Sequence, residues 1–185
     1  TETMNTLISF LKKFQSYYPT LFQRCEGLTV EKEIKSSVDA VIDRFGEVRD
    51  NASESLYSIR KKIQQLRGKI SSSFNKALSQ YQTADYLDDI RESIIDNRRV
   101  LAVKAMYRRK IKGTIMGSSK TGSIVFIEPE ATHAQTQELQ NLLFEEGEEI
   151  KKILSQLTDF FRPYLPYLQL QQAFLLEMDI LYAKA

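Results

Sequence analysis

Histidine and cysteine each occur once in this sequence, and tryptophan does not occur at all. A lone His133 cannot build a His-based triad or a multi-histidine metal site within one chain. Close to a helix start, it reads as a solvated surface residue. A lone Cys25 cannot close an intramolecular disulfide; it reads as buried filler and suits a reducing, cytoplasmic compartment. Seven glycines and four prolines are few, as a mainly helical chain requires. Apolar runs long enough to cross a bilayer are missing, and so is a signal-peptide pattern, so nothing places the chain in or across a membrane. The last absence is local: no acidic residue lies between Asp96 and Glu128.

That acid-free window holds Arg98, Arg99, Lys104, Arg108, Arg109, Lys110, Lys112 and Lys120, eight cations in a chain whose formal net charge is +2. Everything outside it therefore sums to −6. The window also has its own period. Val100 to Val103, Ile111 to Met116 and Ser123 to Ile127 are short runs containing β-branched residues, separated by Arg/Lys clusters or Gly/Ser turns, and they predict a small β insertion.

The flanks are helical in pattern. Met4, Leu7, Ile8, Leu11 and Phe14 mark one face of a core helix that Pro19 ends. Leu21 to Gly27 reads as a connector, and Thr29 with Val30, Glu31 and Glu33 as the cap and acidic first turn of a brief helix. Ser37 to Asn51 fits either a helix or a hairpin turning near Gly46, with the hairpin favoured. From Ser53 to about Gln82, Leu56, Ile59, Ile63, Leu66, Ile70, Phe74 and Leu78 recur three and four apart, which predicts a rod of about 45 Å. A second long helix starts at Pro129 and carries Leu139, Leu142, Leu143, Ile150, Ile153, Leu154, Leu157, Phe160 and Phe161 up to Pro163. The first carries Arg60, Lys61, Lys62, Arg67, Lys69 and Lys76, the second Glu138, Glu145, Glu146, Glu148 and Glu149. Matched lengths and opposite charges predict an antiparallel pair with the basic module at its tip. Counting back equally from the tip sets Ile59 near Ile153 and Leu154, Ile63 near Ile150, and Ile70 near Leu142 and Leu143. A final helix from Leu165 to about Ala183 returns to the core with Leu168, Leu175, Leu176, Ile180 and Leu181. The chain begins without an initiator Met and stops inside a helical pattern, as a piece of something longer does.

No active site is visible. Gly117 to Ile124 has glycines at phosphate-loop spacing, but Ser123 and Ile124 stand where Lys and Ser/Thr are required, so it reads as a turn between strands. The acidic run around Gly147 reads as a solvated helix face, and Asp85, Asp88 and Asp89 lack a second sign of a cleft.

Ile90 to Arg108, Ile111-Lys112-Gly113, Ser118, Gly122 and Phe126-Ile127-Glu128-Pro129 together resemble the clamp region of the MutS family, nearest to its short MutS-two branch. Asp43 to Ser53 and Met178 to Ala185 are similar to the segments flanking the lever helices of that branch. Ala102, where the pattern has a proline, and Met116-Gly117, where it has a more polar turn, depart from it. The resemblance implies core and outgoing lever helix over 1–83, a clamp module over 84–130, and returning lever and core helix over 131–185. It further implies a homodimeric full-length ATPase that uses ATP and Mg and closes its clamp over duplex or branched DNA. This stretch itself would be non-enzymatic and cofactor-free. The same branch is associated with stalled ribosomes, so a second reading is a ribosome-binding or coiled-coil module that meets ribosomal RNA.

The residues expected to touch nucleic acid are Arg98, Arg99, Lys104, Tyr107, Arg108, Arg109, Lys110, Lys112 and Lys120. A charge run is commonly a solvated face. Three features favour phosphate contact instead: acids are excluded, the cations sit at a tip, and a β surface studded with Arg and Lys can follow a backbone. Tyr107 could stack on a base. No base-reading pattern accompanies them.

Overall fold

The computed structural model describes residues 2–28 and 32–184. Its elements run α1 (Glu2–Lys13), α2 (Pro19–Arg24), α3 (Lys32–Val41), α4 (Glu54–Thr83), β1 (Leu87–Ile95), β2 (Arg98–Lys104), β3 (Gly113–Ser118), β4 (Ile124–Pro129), α5 (Glu130–Phe161) and α6 (Leu165–Lys184). The protein is thus mainly helical with one four-stranded antiparallel sheet of order β1-β2-β4-β3. It divides into two compact units, Ser55–Glu148 and the combination of Thr1–Glu54 with Glu149–Ala185.

In the unit formed by the two ends of the chain, Met4, Ile8 and Leu11 of α1 bury against Cys25, Leu28 and Phe174. Cys25 is buried filler, as its isolation in the sequence indicates, and that burial pushes its thiol pKa up. Two expectations need correction here. Pro19 does not simply end α1 but opens α2, where its missing N–H costs nothing and its fixed φ suits a first turn. The buried side of α6 is Tyr167, Gln171, Phe174, Leu175 and Met178, while Leu176, Ile180 and Leu181 are exposed. That helix is apolar nearly all round, so its period could not say which side faces inward. Thr29, Val30 and Glu31 lie outside the described residues.

Ser37 to Asn51 turns out to be part helix and part turn. Val38 and Val41 belong to α3, after which an isolated bridge joins Ile42 to Val48 around Gly46 at φ 87°. Asp43 Oδ1 accepts from the backbone N–H of Phe45 at 2.8 Å and of Glu47 at 3.0 Å. The Glu47 and Phe45 amides hold its carboxyl below the ordinary carboxylate value. A depressed folded pKa stabilises the turn above the unfolded value and ceases to do so as pH falls through the folded one. Carbon-detected NMR titration is expected to find Asp43 still ionised at a pH below the ordinary aspartate value. Asp43→Ala is expected to loosen this turn near neutral pH, read as faster amide exchange at Phe45 and Glu47.

In the unit Ser55–Glu148, the 30-residue α4 runs antiparallel to the first part of the 32-residue α5. Ile63 and Leu66 bury against Leu142, with Ile59, Ile70, Leu139 and Leu143 packed around them. Arg60 Nε meets Glu146 Oε1 at 2.7 Å. Ile70 joins Leu142 and Leu143 in this cluster as expected, yet the Arg60–Glu146 pair displaces the register, because equal counting from the tip sets Glu146 near Arg67. The cause lies at the far end of α4. There Phe74, with Leu78 and Tyr81 beside it, packs on the sheet instead of on α5. Pro129 is likewise the last residue of β4 and not the first of a helix.

Leu101 and Val103 of β2 and Val125 and Ile127 of β4 face Phe74, and Leu87 of β1 and Ile111 complete that layer. Val100 and Ala102, on the opposite side of β2, are fully buried too, so this central strand reads as a continuous apolar run. The two positions that depart from the family pattern are both strand residues. Ala102 pairs with Phe126, and Met116 is the extra residue of an irregularity between Ile115 and Gly117. Close approach is required at Gly113, where an added Cβ would overlap the Glu128 carbonyl oxygen and lie 2.8 Å from Ile127 Cγ2.

Candidate nucleic-acid interface

Three of the eight cations in the acid-free window fold back onto carboxylates. Arg98 Nη1 is 2.9 Å from Glu128 Oε2, Arg99 Nη2 is 2.6 Å from Glu92 Oε2, and Lys104 Nζ is 2.9 Å from Asp85 Oδ1. Arg99 also reaches Ser71 and Asn75 of α4 and lies over the Phe74 ring at 4.2 Å. The Asp85 hydrogen bond raises the pKa of Lys104. Tyr107 stacks on Tyr86 with ring centroids 4.7 Å apart and packs against the sheet core, so its ring is already engaged. The strand-borne cations are therefore each paired with a carboxylate while remaining part-exposed, and the expectation of a β surface studded with Arg and Lys holds for them only as paired charges.

The other five sit on connections. Beyond Lys104 the chain makes a short 3-10 turn over Ala105–Tyr107 and then crosses to β3. Tyr107 on one side and Ile111, 6 % exposed, on the other are packed against the sheet core. Arg108, Arg109 and Lys110 between these two anchors have nowhere to go but solvent, and all three are exposed. The tract's backbone closes a turn, in which the Lys110 N–H donates to the Tyr107 carbonyl at 2.8 Å. Lys112 is exposed beside the start of α5, where its carbonyl accepts from the Glu130 N–H. Lys120 caps the β3–β4 hairpin, a turn with Gly122 at φ 71° and the Ser119 hydroxyl accepting from the Ile124 N–H at 3.1 Å. The Ala105 N–H donates to the Ser123 carbonyl, which joins this hairpin to the start of the basic connection. Within Gly117 to Ile124 the turn its composition indicates is Ser119 to Ser123, with Gly117 and Ser118 closing β3 and Ile124 opening β4.

Glu128, the acid that closes the window, is fully buried. Arg98 Nη1 donates to its Oε2 and His133 Nδ1 lies 3.2 Å from the same oxygen, while Oε1 has no hydrogen-bond partner among the described residues. His133 is half-exposed, in keeping with its reading as a surface residue near a helix start, and its ring also lies against the Glu128 carboxylate. Nothing in the sequence marks that contact apart from the five-residue spacing across the strand-to-helix junction. Among the described residues, no cluster of His, Cys, Asp and Glu is placed to hold a metal ion, and no helix is long and apolar enough to cross a membrane. What the geometry offers is a sheet module with five exposed cations on its connections, suited to an extended polyanion.

No family model matches the chain. Curated relatives do. An endonuclease MutS2 of Clostridium perfringens SM101 is 31% identical over 160 residues, which is 86% of this chain and 20% of that protein. One of Lacticaseibacillus casei BL23 is 31% identical over 186 residues, 100% of this chain and 24% of its own length. A putative endonuclease MutS2 of Bacillus subtilis 168 is 31% identical over 167 residues, covering 90% of this chain and 21% of the relative. The chain thus spans between a fifth and a quarter of the length of these relatives.

Proposed function

Because the chain is a segment of the MutS2 family, we propose that it serves as lever and clamp of such a protein, with α4 and α5 as the lever and the four-stranded module as the clamp. The clamp holds duplex or branched DNA by its phosphate backbone without reading sequence. The observation that supports this is the Arg108-Arg109-Lys110 tract, exposed between two anchored residues in a module whose strand-borne cations are already paired. The backbone of this connection is tied at both ends, so meeting phosphate orders side chains and not the loop, and each neutralised phosphate releases counterions. Nucleotide state, set by ATP and Mg in the remainder of the protein, moves the clamp through the paired helices. Dimerisation brings a second clamp to the same nucleic acid.

Binding of this chain to a duplex and to a four-way junction, followed by fluorescence anisotropy with purified ribosomes as competitor, tests the reading. A Kd of about 10⁻⁴ to 10⁻⁶ M at physiological salt is expected, since one clamp neutralises few phosphates, together with stronger retention by DNA than by ribosomes. Preference for ribosomes would make ribosomal RNA the partner. The name endonuclease belongs to the relatives, and cleavage is assigned here to parts of them outside this stretch. The 185 residues alone are expected to hydrolyse no ATP and cut no DNA, as Ser123 and Ile124 replace the phosphate-loop Lys and Ser/Thr. Turnover that disappears with Lys120→Ala would overturn that assignment.

A further inference from the structure

A cavity of about 400 Å³ opens beside α4 and α5, next to the turn between β1 and β2, and Arg67, Arg98 and Arg99 all line it. No carboxylate lines it among the described residues. Arg98 and Arg99 are each paired with a carboxylate outside the lining, which leaves Arg67 as the uncompensated charge that a bound anion would meet. Two of the three are fixed in advance. Glu128 holds Arg98, while Phe74, Asn75 and Glu92 hold Arg99, and neither acid belongs to the cavity wall. Arg67 is exposed and supplies an uncompensated charge from α4. Ser71 Oγ accepts from Arg99 Nη1 at 3.3 Å, which leaves its own proton free to donate into the cavity. Thr136 has spent its proton on the Thr132 carbonyl, so donors come chiefly from the α4 and β2 sides. Ile70 and Leu139 give the remaining wall an apolar character.

We propose that this cavity is a binding site for a phosphate group, with Arg67 as the gating contact and Arg98 and Arg99 as the preorganised floor. The Arg67 guanidinium presents a fork that matches the geometry of a phosphate's oxygens, Arg98 and Arg99 add the donors that their existing bonds leave unspent, and the space accommodates a phosphomonoester the size of a mononucleotide as readily as one backbone phosphate. The site lies away from the Arg108 tract and stands whether or not that tract holds DNA.

Titrating the chain with inorganic phosphate, against chloride at matched ionic strength, is expected to raise Tm and to give a saturable isotherm in calorimetry. Arg67→Ala, which removes an exposed and unpaired side chain, is expected to weaken phosphate binding about tenfold while leaving the circular dichroism unchanged. Two further arms identify the source of the phosphate. If it is a free phosphomonoester, adenosine monophosphate binds tighter than inorganic phosphate and Arg67→Ala leaves duplex binding alone. If it is a nucleic-acid backbone, a duplex displaces inorganic phosphate, and Arg67→Ala shallows the plot of log affinity against log salt by about 0.9 with the tip intact. Equal phosphate affinity in wild type and Arg67→Ala overturns the proposal, as does an absence of phosphate binding.

Discussion

Leu66→Asp is expected to destabilise the chain by about 2 to 5 kcal/mol, a fall in Tm of about 4 to 20 °C. Leu66 is 6 % exposed and lies between Ile63 and Leu142 in the cluster that joins α4 to α5. The substitution removes a branched aliphatic chain from a packed seam and puts a carboxylate in its place. That carboxylate must either drag water into the helix pair or take up a proton, and both cost free energy. The neighbouring Gln65 is exposed on the same turn. Gln65→Asp adds the same charge at nearly the same height and is expected to stay within about 0.5 kcal/mol of wild type. Denaturant melts of the two variants separate burial from charge. A Leu66→Asp midpoint equal to that of Gln65→Asp would show that α4 and α5 do not rely on this seam.

The helix pair was legible because its information is local and repeated. Seven apolar residues at three- and four-residue spacing specify α4 whatever else the chain does, and α4 forms within one residue of its expected ends. Three of the four strands carry the same kind of signal. The fourth, β1, does not: it is an edge strand with Asp88, Asp89, Arg91 and Glu92 inside it and Ile90 and Ile94 exposed, so its apolar residues follow no period. It also breaks register between Leu87 and Glu92, with Arg91 at φ 59°. One clue was present. Asp96 and Asn97, at φ 48° and 61°, join β1 to β2 in a two-residue turn, and Asp-Asn is a pair that tolerates such angles before an apolar strand. The candidate site was legible as a concentration of charge but not as a surface. Whether an arginine is free depends on partners far away in sequence, such as Glu128 for Arg98 and Ser71 for Arg99, and no local pattern encodes those. Arg67 was missed for the same reason. It read as one more cation facing the acids of the returning helix, yet it lines a cavity with two others that lie on β2.

That distinction between held and free cations sharpens what charge reversal at the tip does. Arg108→Glu, Arg109→Glu and Lys110→Glu together are expected to shallow the log affinity against log salt plot for duplex DNA by about 0.9 for each phosphate that is no longer neutralised. Binding at physiological salt is expected to weaken at least about tenfold, with sequence preference absent before and after. All three side chains are exposed, so the fold is expected to survive, and unchanged circular dichroism and Tm establish that first. The comparison is a second triple with the same charge change on the outward side of α4, Lys61→Glu, Lys62→Glu and Lys69→Glu, all exposed and clear of the arginine cavity. If net charge alone attracts DNA, the two triples weaken binding equally, because a long-range field does not distinguish where six units of charge were removed. If phosphates dock on the connection between Tyr107 and Ile111, the tip triple lowers affinity and slope together, while the α4 triple lowers affinity through the field with a smaller change in slope. A tip triple that binds DNA like the wild type would leave Arg108, Arg109 and Lys110 as a solvated face and overturn the clamp reading.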